Sequence, residues 1–257
     1  MKILLTNDDG IKAAGLRALL ACIPKDHKIL VAAPATERSA CSHSISLGQQ
    51  LRVEKSTENG VRFLAVHGTP ADSVKFALYD SEHFVPDLVI SGFNHGANTG
   101  VSVFYSGTIS AAREGFINGI PAIAISLCGG LEAEDFRACQ NIAKSLIKGY
   151  QREKIASHIM LNVNVPPLLP EQIKGVRITR QAPSRFIEEF VPEEEKPGRK
   201  VYRLAGEIEI YDTDGTSDEK AVIDGFISIT PLRIDLTDRE AIKPLEKWLQ
   251  AEEVSRG

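Results

Sequence analysis

The feature that most constrains this chain is the alternation of short apolar strands with helical segments through its first two-thirds. Residues 2–6 (KILLT), 28–33 (KILVAA), 62–66, 87–90 (DLVI) and 122–127 (AIAISL) read as β-type runs, and 160–165 (MLNVNV) closes the region. Helical patterns lie between them. Residues 13–21 are rich in Ala and Leu, and Thr69-Pro70 supplies an N-cap and first-turn proline for a helix to residue 79. Residues 106–118 are small and helical in pattern, and Phe136, Cys139, Ala143, Leu146, Ile147 and Tyr150 fall on one helical face. Strands that are continuously apolar need cover on both faces, which implies a parallel sheet between helical layers. The expected fold is therefore α/β: a three-layer, Rossmann-like sandwich with a mostly parallel sheet.

The character changes after about residue 180. Residues 186–200 are acidic and contain proline, and 201–211 (VYRLAGEIEIY) alternate like an exposed hairpin. This stretch reads as a protruding C-terminal β arm used in self-association. A strand at 225–232 and an amphipathic helix at 239–252 follow. The expected division is a catalytic core at 1–180, an oligomerisation arm at 181–225, and a strand and helix at 226–257. That last segment either returns to the core or is swapped onto a partner.

Composition removes several function classes. With 257 residues and a formal net charge of −4, the chain has no electrostatic reason to bind long nucleic acid or an anionic membrane. A phosphate would have to be met by local devices, such as a metal or aimed backbone N–H groups. No apolar run approaches the ~20 residues needed to span a bilayer. The opening MKILLTNDDG is too short an apolar run for a signal peptide. Cys22, Cys41, Cys128 and Cys139 show no C-x-x-C spacing and read as free thiols, so a cytoplasmic setting is expected.

Three polar segments each follow an expected strand: residues 6–10, 36–44 and 91–100. In an open parallel sheet the carboxyl ends of the strands carry the ligand site, so the three should converge. Asp8 and Asp9 are adjacent carboxylates whose repulsion a hard divalent cation would relieve. They read equally well as an N-cap and first-turn acid for the helix beginning near Ile11. Ser39 and His43 lie in ERSACSHS, where a hydroxyl can ligate a metal and an imidazole can act as an acid or meet a phosphate. Ser39 lacks the G-x-S-x-G elbow of a nucleophilic serine. The segment SGFNHGANTG contains Asn94 and Asn98, whose oxygens can ligate a metal and whose amides can donate to phosphate. Ser106, Gly107 and Thr108 open a helix whose N-terminus suits an anion. Neither a Walker A nor a G-x-G-x-x-G fingerprint is present.

These residues match a family. TNDDG, ERS-x-x-SHS, SG-x-N-x-G-x-N-x-G and YSGT-x-x-AA-REG, in that order, closely resemble the SurE (survival protein E) family of nucleotidases. The resemblance continues at LNVNVP (161–166), at Ile178-Thr179-Arg180 and at SITPLRIDLT (228–237). It implies a divalent-metal-dependent hydrolase of nucleoside 5′- and 3′-monophosphates, assembled as a homodimer or homotetramer. Carried over by position, Asp8, Asp9, Ser39 and Asn94 would bind one Mg²⁺ or Mn²⁺ per subunit. Asn98, Ser106, Gly107 and Thr108 would cradle the phosphate, with His43 beside them. The pattern departs in the arm, where FIEEFVPEEEKPGRK and VYRLAG replace an Asp-Pro-Arg-Gly-like segment and a Tyr-Trp pair. Gly215-Thr216-Ser217 stands where Gly-Thr-Asp is usual, with Asp218 one place later.

The implied reaction is attack by a metal-activated water, oriented or deprotonated by Asp8. An aspartyl-phosphate on Asp8 is the covalent variant. A non-catalytic nucleotide sensor and a metal-independent hydrolase using Ser39 and His43 are the competing readings.

Overall fold

A central parallel sheet organises the chain. The structure is a computed structural model that describes residues 1–80, 84–129, 135–153, 159–196, 198–212 and 214–251. In chain order the elements begin β1 (Lys2–Thr6), α1 (Ala14–Cys22), β2 (Lys28–Pro34), β3 (Val53–Glu58), β4 (Val61–Val66) and α2 (Pro70–Tyr79). They continue with β5 (Leu88–His95), α3 (Ser102–Tyr105), α4 (Gly107–Ile117), β6 (Ala122–Leu127), α5 (Arg137–Glu153) and β7 (Met160–Val165). The last third holds β8 (Val176–Ile178), β9 (Ser184–Lys196), β10 (Arg199–Ile210), α6 (Asp218–Ile223), β11 (Ile227–Leu232) and α7 (Arg239–Ala251).

The main sheet has nine strands in the order β3-β4-β2-β1-β5-β6-β7-β11-β8. Pairings from β4 through β7 are parallel, whereas β3 and β11 run antiparallel to β4 and β7. From β1 the chain winds to β2 and β4 on one side, then returns to β5 and β6 on the other. The strand order therefore reverses between β1 and β5, and this is the switch point at which such sheets bind ligands.

Two apolar clusters cover the two faces. Ile3 and Leu5 point to a cluster with Leu16, Leu19 and Cys139 of α1 and α5. Leu4 points the other way, to Val74, Ala77, Ile109 and Ala112 of α2 and α4. This double cover is why the strands read as apolar without alternation. Helix α2 starts as its sequence predicts. Thr69 Oγ1 accepts the Asp72 N–H at 3.1 Å, and Asp72 Oδ2 accepts the Thr69 N–H at 2.9 Å, which completes a capping box.

The structure departs from the sequence expectations in several elements. Strand β5 runs on to His95, so the first half of the Gly/Asn segment is strand, with a register shift between Ser91 and Asn94. Strand β3 is an additional edge strand, and α6 an additional short helix. The arm pairs β9 with β10, so the acidic stretch is itself one of its strands. Strand β11 lies in the chain's own sheet beside β7. Residue 252 of the expected terminal helix lies outside the described residues. Among the described residues no helix is long and apolar enough to cross a membrane.

Candidate active site

The loop after β1 is shaped by its own residues and clipped to its neighbours. The Asn7 side chain closes the turn, donating to Gly10 O at 3.0 Å and accepting the Gly10 N–H at 3.2 Å. Pro34 O accepts the Ile11 N–H at 2.8 Å, and Asp8 O accepts the Arg38 N–H at 2.8 Å, which joins this loop to the one after β2. In the neighbouring strand Ser91 is the Cα partner of Thr6, so Asp8 and Asp9 emerge beside the end of β5 and Asn94.

Asp8 is only 4 % exposed. Its Oδ1 accepts the Thr108 hydroxyl, which ties it to the first turn of α4. Gly107 makes this approach possible. A Cβ there would lie 2.7 Å from Asp8 Cβ and 2.8 Å from Asp8 Oδ2, closer than side chains tolerate. Helix α1, by contrast, begins at Ala13 with no side-chain cap. Asp8 thus serves a helix a hundred residues away, and neither carboxylate caps the one that follows.

Asp9 is partly buried, and its Oδ2 is enclosed with no hydrogen-bond partner among the described residues. Burial pushes its carboxyl up to about 7, and the charges of Asp8 and Glu37 add to the rise against a hydrogen bond from the His95 backbone. Burial also raises Asp8, and hydrogen bonds from Thr108 oppose it. Two carboxylates that resist ionisation side by side, one with an orphaned oxygen, are the donor set a hard cation satisfies. Among the described residues no group of three His, Cys, Asp or Glu side chains forms a metal site, so an ion here would also need neutral oxygens.

Asn94 fits that requirement. It is 8 % exposed, and its amide nitrogen donates to Gly96 O at 2.8 Å and His95 O at 3.2 Å, so its amide oxygen is the end left for a ligand. Ser39 is exposed and donates to Glu37 Oε1 at 2.6 Å. Glu37 is the acidic neighbour that sequence reasoning missed. It sits inside a loop whose composition does not single it out.

The expected phosphate residues divide. Ser106 Oγ accepts the Ile109 N–H at 3.1 Å as the cap of α4 and keeps its hydroxyl proton free to donate. The Gly107 N–H has no acceptor among the described residues. Thr108 is committed to Asp8. Asn98 is held inside the protein. Its amide donates to Ser126 Oγ at 2.8 Å, its N–H to Asn164 Oδ1 at 2.8 Å, and its carbonyl accepts from Asn162 at 2.7 Å. Two asparagines two residues apart in a buried strand were the available signal for this bracing.

His43 has a different partner from the expected phosphate. Its Nε2 lies 2.9 Å from Glu114 Oε2, and Lys75 Nζ lies 2.8 Å from Glu114 Oε1. Burial would raise the Glu114 carboxyl, but hydrogen bonds from His43, Lys75 and Asn118 outweigh it and hold the group down to about 2. Ser42 adds to the anchor by donating to Phe104 O at 2.6 Å. With Ser39 bonded to Glu37 and His43 to Glu114, the two side chains do not form the hydrogen-bonded pair that a serine hydrolase needs.

Fold and site together define a doubly wound α/β protein whose switch point carries two adjacent carboxylates, Asp8 against a helix N-terminus and Asp9 beside it. The family described as survival protein SurE matches residues 3–188. A 5′-nucleotidase SurE of Syntrophus aciditrophicus is 42% identical, with 98% of this chain and 95% of that protein covered. A 5′-nucleotidase SurE of Trichodesmium erythraeum is 40% identical over 96% of this chain and 97% of its own length. The crystal structure of the SurE protein from Aquifex aeolicus superposes with a TM-score of 0.83 at 34% identity, covering 97% of this chain and all of that one. The chain belongs to the SurE family.

Proposed function

We propose that the chain is a divalent-metal-dependent 5′-nucleotidase that also accepts nucleoside 3′-monophosphates, releasing nucleoside and inorganic phosphate. Family membership supports the nucleotide phosphomonoesterase activity. The observation that carries the site is the enclosed, unpartnered Asp9 Oδ2 beside Asp8 at the switch point. Asp8, Asp9, Ser39 and Asn94 would hold one Mg²⁺ or Mn²⁺. Bound there, the ion supplies Lewis-acid polarisation of the phosphate and a water acidic enough to attack.

The chain's own groups do the rest. Thr108 fixes the Asp8 carboxylate so that one oxygen orients the attacking water and receives its proton. The Ser106 hydroxyl and the Gly107 N–H address phosphate oxygens, where the helix N-terminus favours the charge that spreads in the transition state. Asn98 sets the backbone of the loop around the phosphate, and His43 holds the neighbouring loop against α4. Within residues 181–225 the β9–β10 ribbon forms the arm, and self-association as a homodimer or homotetramer uses it together with α7. The exposed Phe190, Tyr202, Leu204, Leu245 and Trp248 support this assignment. Four free cysteines suit a cytoplasmic setting.

The test is phosphate release from a panel of nucleoside monophosphates by chelator-stripped protein with Mg²⁺ or Mn²⁺ restored. Release should appear only with metal. Because the ion competes with a proton on Asp9, metal affinity should climb as pH rises towards about 7 and flatten above it. Full turnover in chelator, or an affinity indifferent to pH across that range, would remove the metal from the reading.

A further inference from the structure

The segment that follows Asn98 is held from the far end of the chain. Asp218, the first residue of α6, is fully buried, and its carboxylate oxygens are held by backbone N–H groups. Its Oδ2 accepts the Gly100 N–H at 3.1 Å, and its Oδ1 accepts the N–H groups of Ala182 and Glu219, each at 2.9 Å. A buried carboxylate is tolerated when N–H donors of this kind surround it. Next to it, Thr99 Oγ1 donates to Glu219 Oε2, and Gln181 Nε2 donates to Gly100 O at 2.7 Å. Ser184, the first residue of β9, accepts the Val101 N–H at 2.8 Å. Gly100 has φ +50°, and a Cβ there would meet Ser184 Oγ at 2.3 Å, so another residue here would strain the backbone and push the Ser184 hydroxyl off its bond to Val101.

We propose that Asp218 is the positioning residue of the phosphate-side loop 98–101, fixing it to the root of the β9–β10 arm. This rests on the proposed placement of that loop at the substrate phosphate. Asn98 is held on its other side by β7 through Asn162 and Asn164, so the segment has one anchor in the core and one in the arm root. A change in how the arm sits reaches the phosphate loop through Asp218, Gln181 and Ser184 without passing through Asp8 or Asp9.

The selective variant is Asp218→Asn in the full chain. The amide is isosteric and keeps one acceptor oxygen, which serves both Ala182 and Glu219. Its NH₂ then faces the Gly100 N–H, so only the link to the loop is broken. Amide exchange in peptides covering 96–101 should quicken about tenfold while peptides covering 3–10 stay unchanged. KM for a nucleoside monophosphate should rise about tenfold, with kcat altered less than about threefold, since the lost interaction is made in ground and transition states alike. A purely structural role would lower the melting temperature and leave KM of the folded enzyme where it was. Unchanged exchange at 96–101, or faster exchange with an unchanged KM, overturns the proposal. If Asp218→Asn does not fold, Gln181→Ala frees Gly100 O without stranding a buried N–H, and a flat KM there is equally decisive. Should the wild-type chain release no phosphate with any ion, the function reading falls, and the exchange comparison still decides whether Asp218 holds the loop.

Discussion

Asp9→Asn is expected to make the metal-free protein more stable and to lower turnover by about a thousandfold. The two effects have one origin. Asp9 Oδ2 is enclosed without a partner among the described residues, and burial, with the charges of Asp8 and Glu37, opposes ionisation of the group. Burying a neutral amide in that place costs less than burying a carboxylate. The sign with pH follows from the raised carboxyl. In the unfolded chain the group ionises near 3.8, and in the folded chain at about 7, so the folded state binds more protons between those limits. The wild type therefore loses stability relative to the variant as pH climbs through that window. The difference in melting temperature should be negligible near pH 4, widen towards about 7 and stay constant above it. Added Mn²⁺ should raise the melting temperature of the wild type and leave that of Asp9→Asn unmoved, because the ion gains its affinity from the charge the variant lacks. Melting scans across pH, with and without metal, check the stability half, and phosphate release checks the other. Near-normal turnover by Asp9→Asn would sink the site assignment. A variant less stable than wild type at pH 8 would mean that Asp9 is structural.

That trade of stability for function explains why part of the molecule was legible before its structure and part was not. Buried strands and their covering helices announce themselves, because double-sided burial demands runs such as KILLT and AIAISL. Strand β3 does not: five of its six residues are exposed, so VEKSTE carries no apolar pattern. The arm behaves alike, since a two-stranded ribbon outside the sheet needs no buried face, and the acidic residues of β9 concealed a strand. For the site, sequence order placed the loops after β1, β2 and β5 on one edge of the sheet. Sequence left open whether Asp8 and Asp9 cap the next helix, and only packing decides this, through Thr108 and the absence of a side-chain cap on α1. Asp218 acts across long separations, on Gly100 and Ala182, so no local spacing reveals that role. The bond of His43 to Glu114 was invisible in the sequence because the two lie seventy-one residues apart.

Gly107→Ala is the second large effect expected, and two physical terms oppose each other in it. Alanine is the better helix former by about 1 kcal/mol in a helix interior, so propensity favours the change. Sterics oppose it: the new methyl would sit 2.7 Å from Asp8 Cβ and 3.1 Å from Asp8 Cγ. Neither side can yield cheaply. Asp8 follows a strand whose Leu4, Leu5 and Thr6 are fully buried within the sheet, and the intervening Asn7 is fully buried too. Helix α4 is pinned by Ile109, Ala111 and Ala112, also fully buried. Overpacking of this kind costs about 1–3 kcal/mol, which outweighs propensity at the first helical position. The functional loss should be larger still. The methyl separates Asp8 from Thr108, and a misplacement of about 1 Å can cost on the order of a hundredfold in rate. Gly149→Ala is the internal control, because that glycine lies within α5 and a Cβ there meets nothing within 4 Å. It should stabilise the protein by about 0.5–1 kcal/mol and leave turnover untouched. Denaturant melts and phosphate release on the two variants separate the terms. If Gly107→Ala matched Gly149→Ala in both stability and rate, the close approach of Asp8 to α4 would have no part in catalysis.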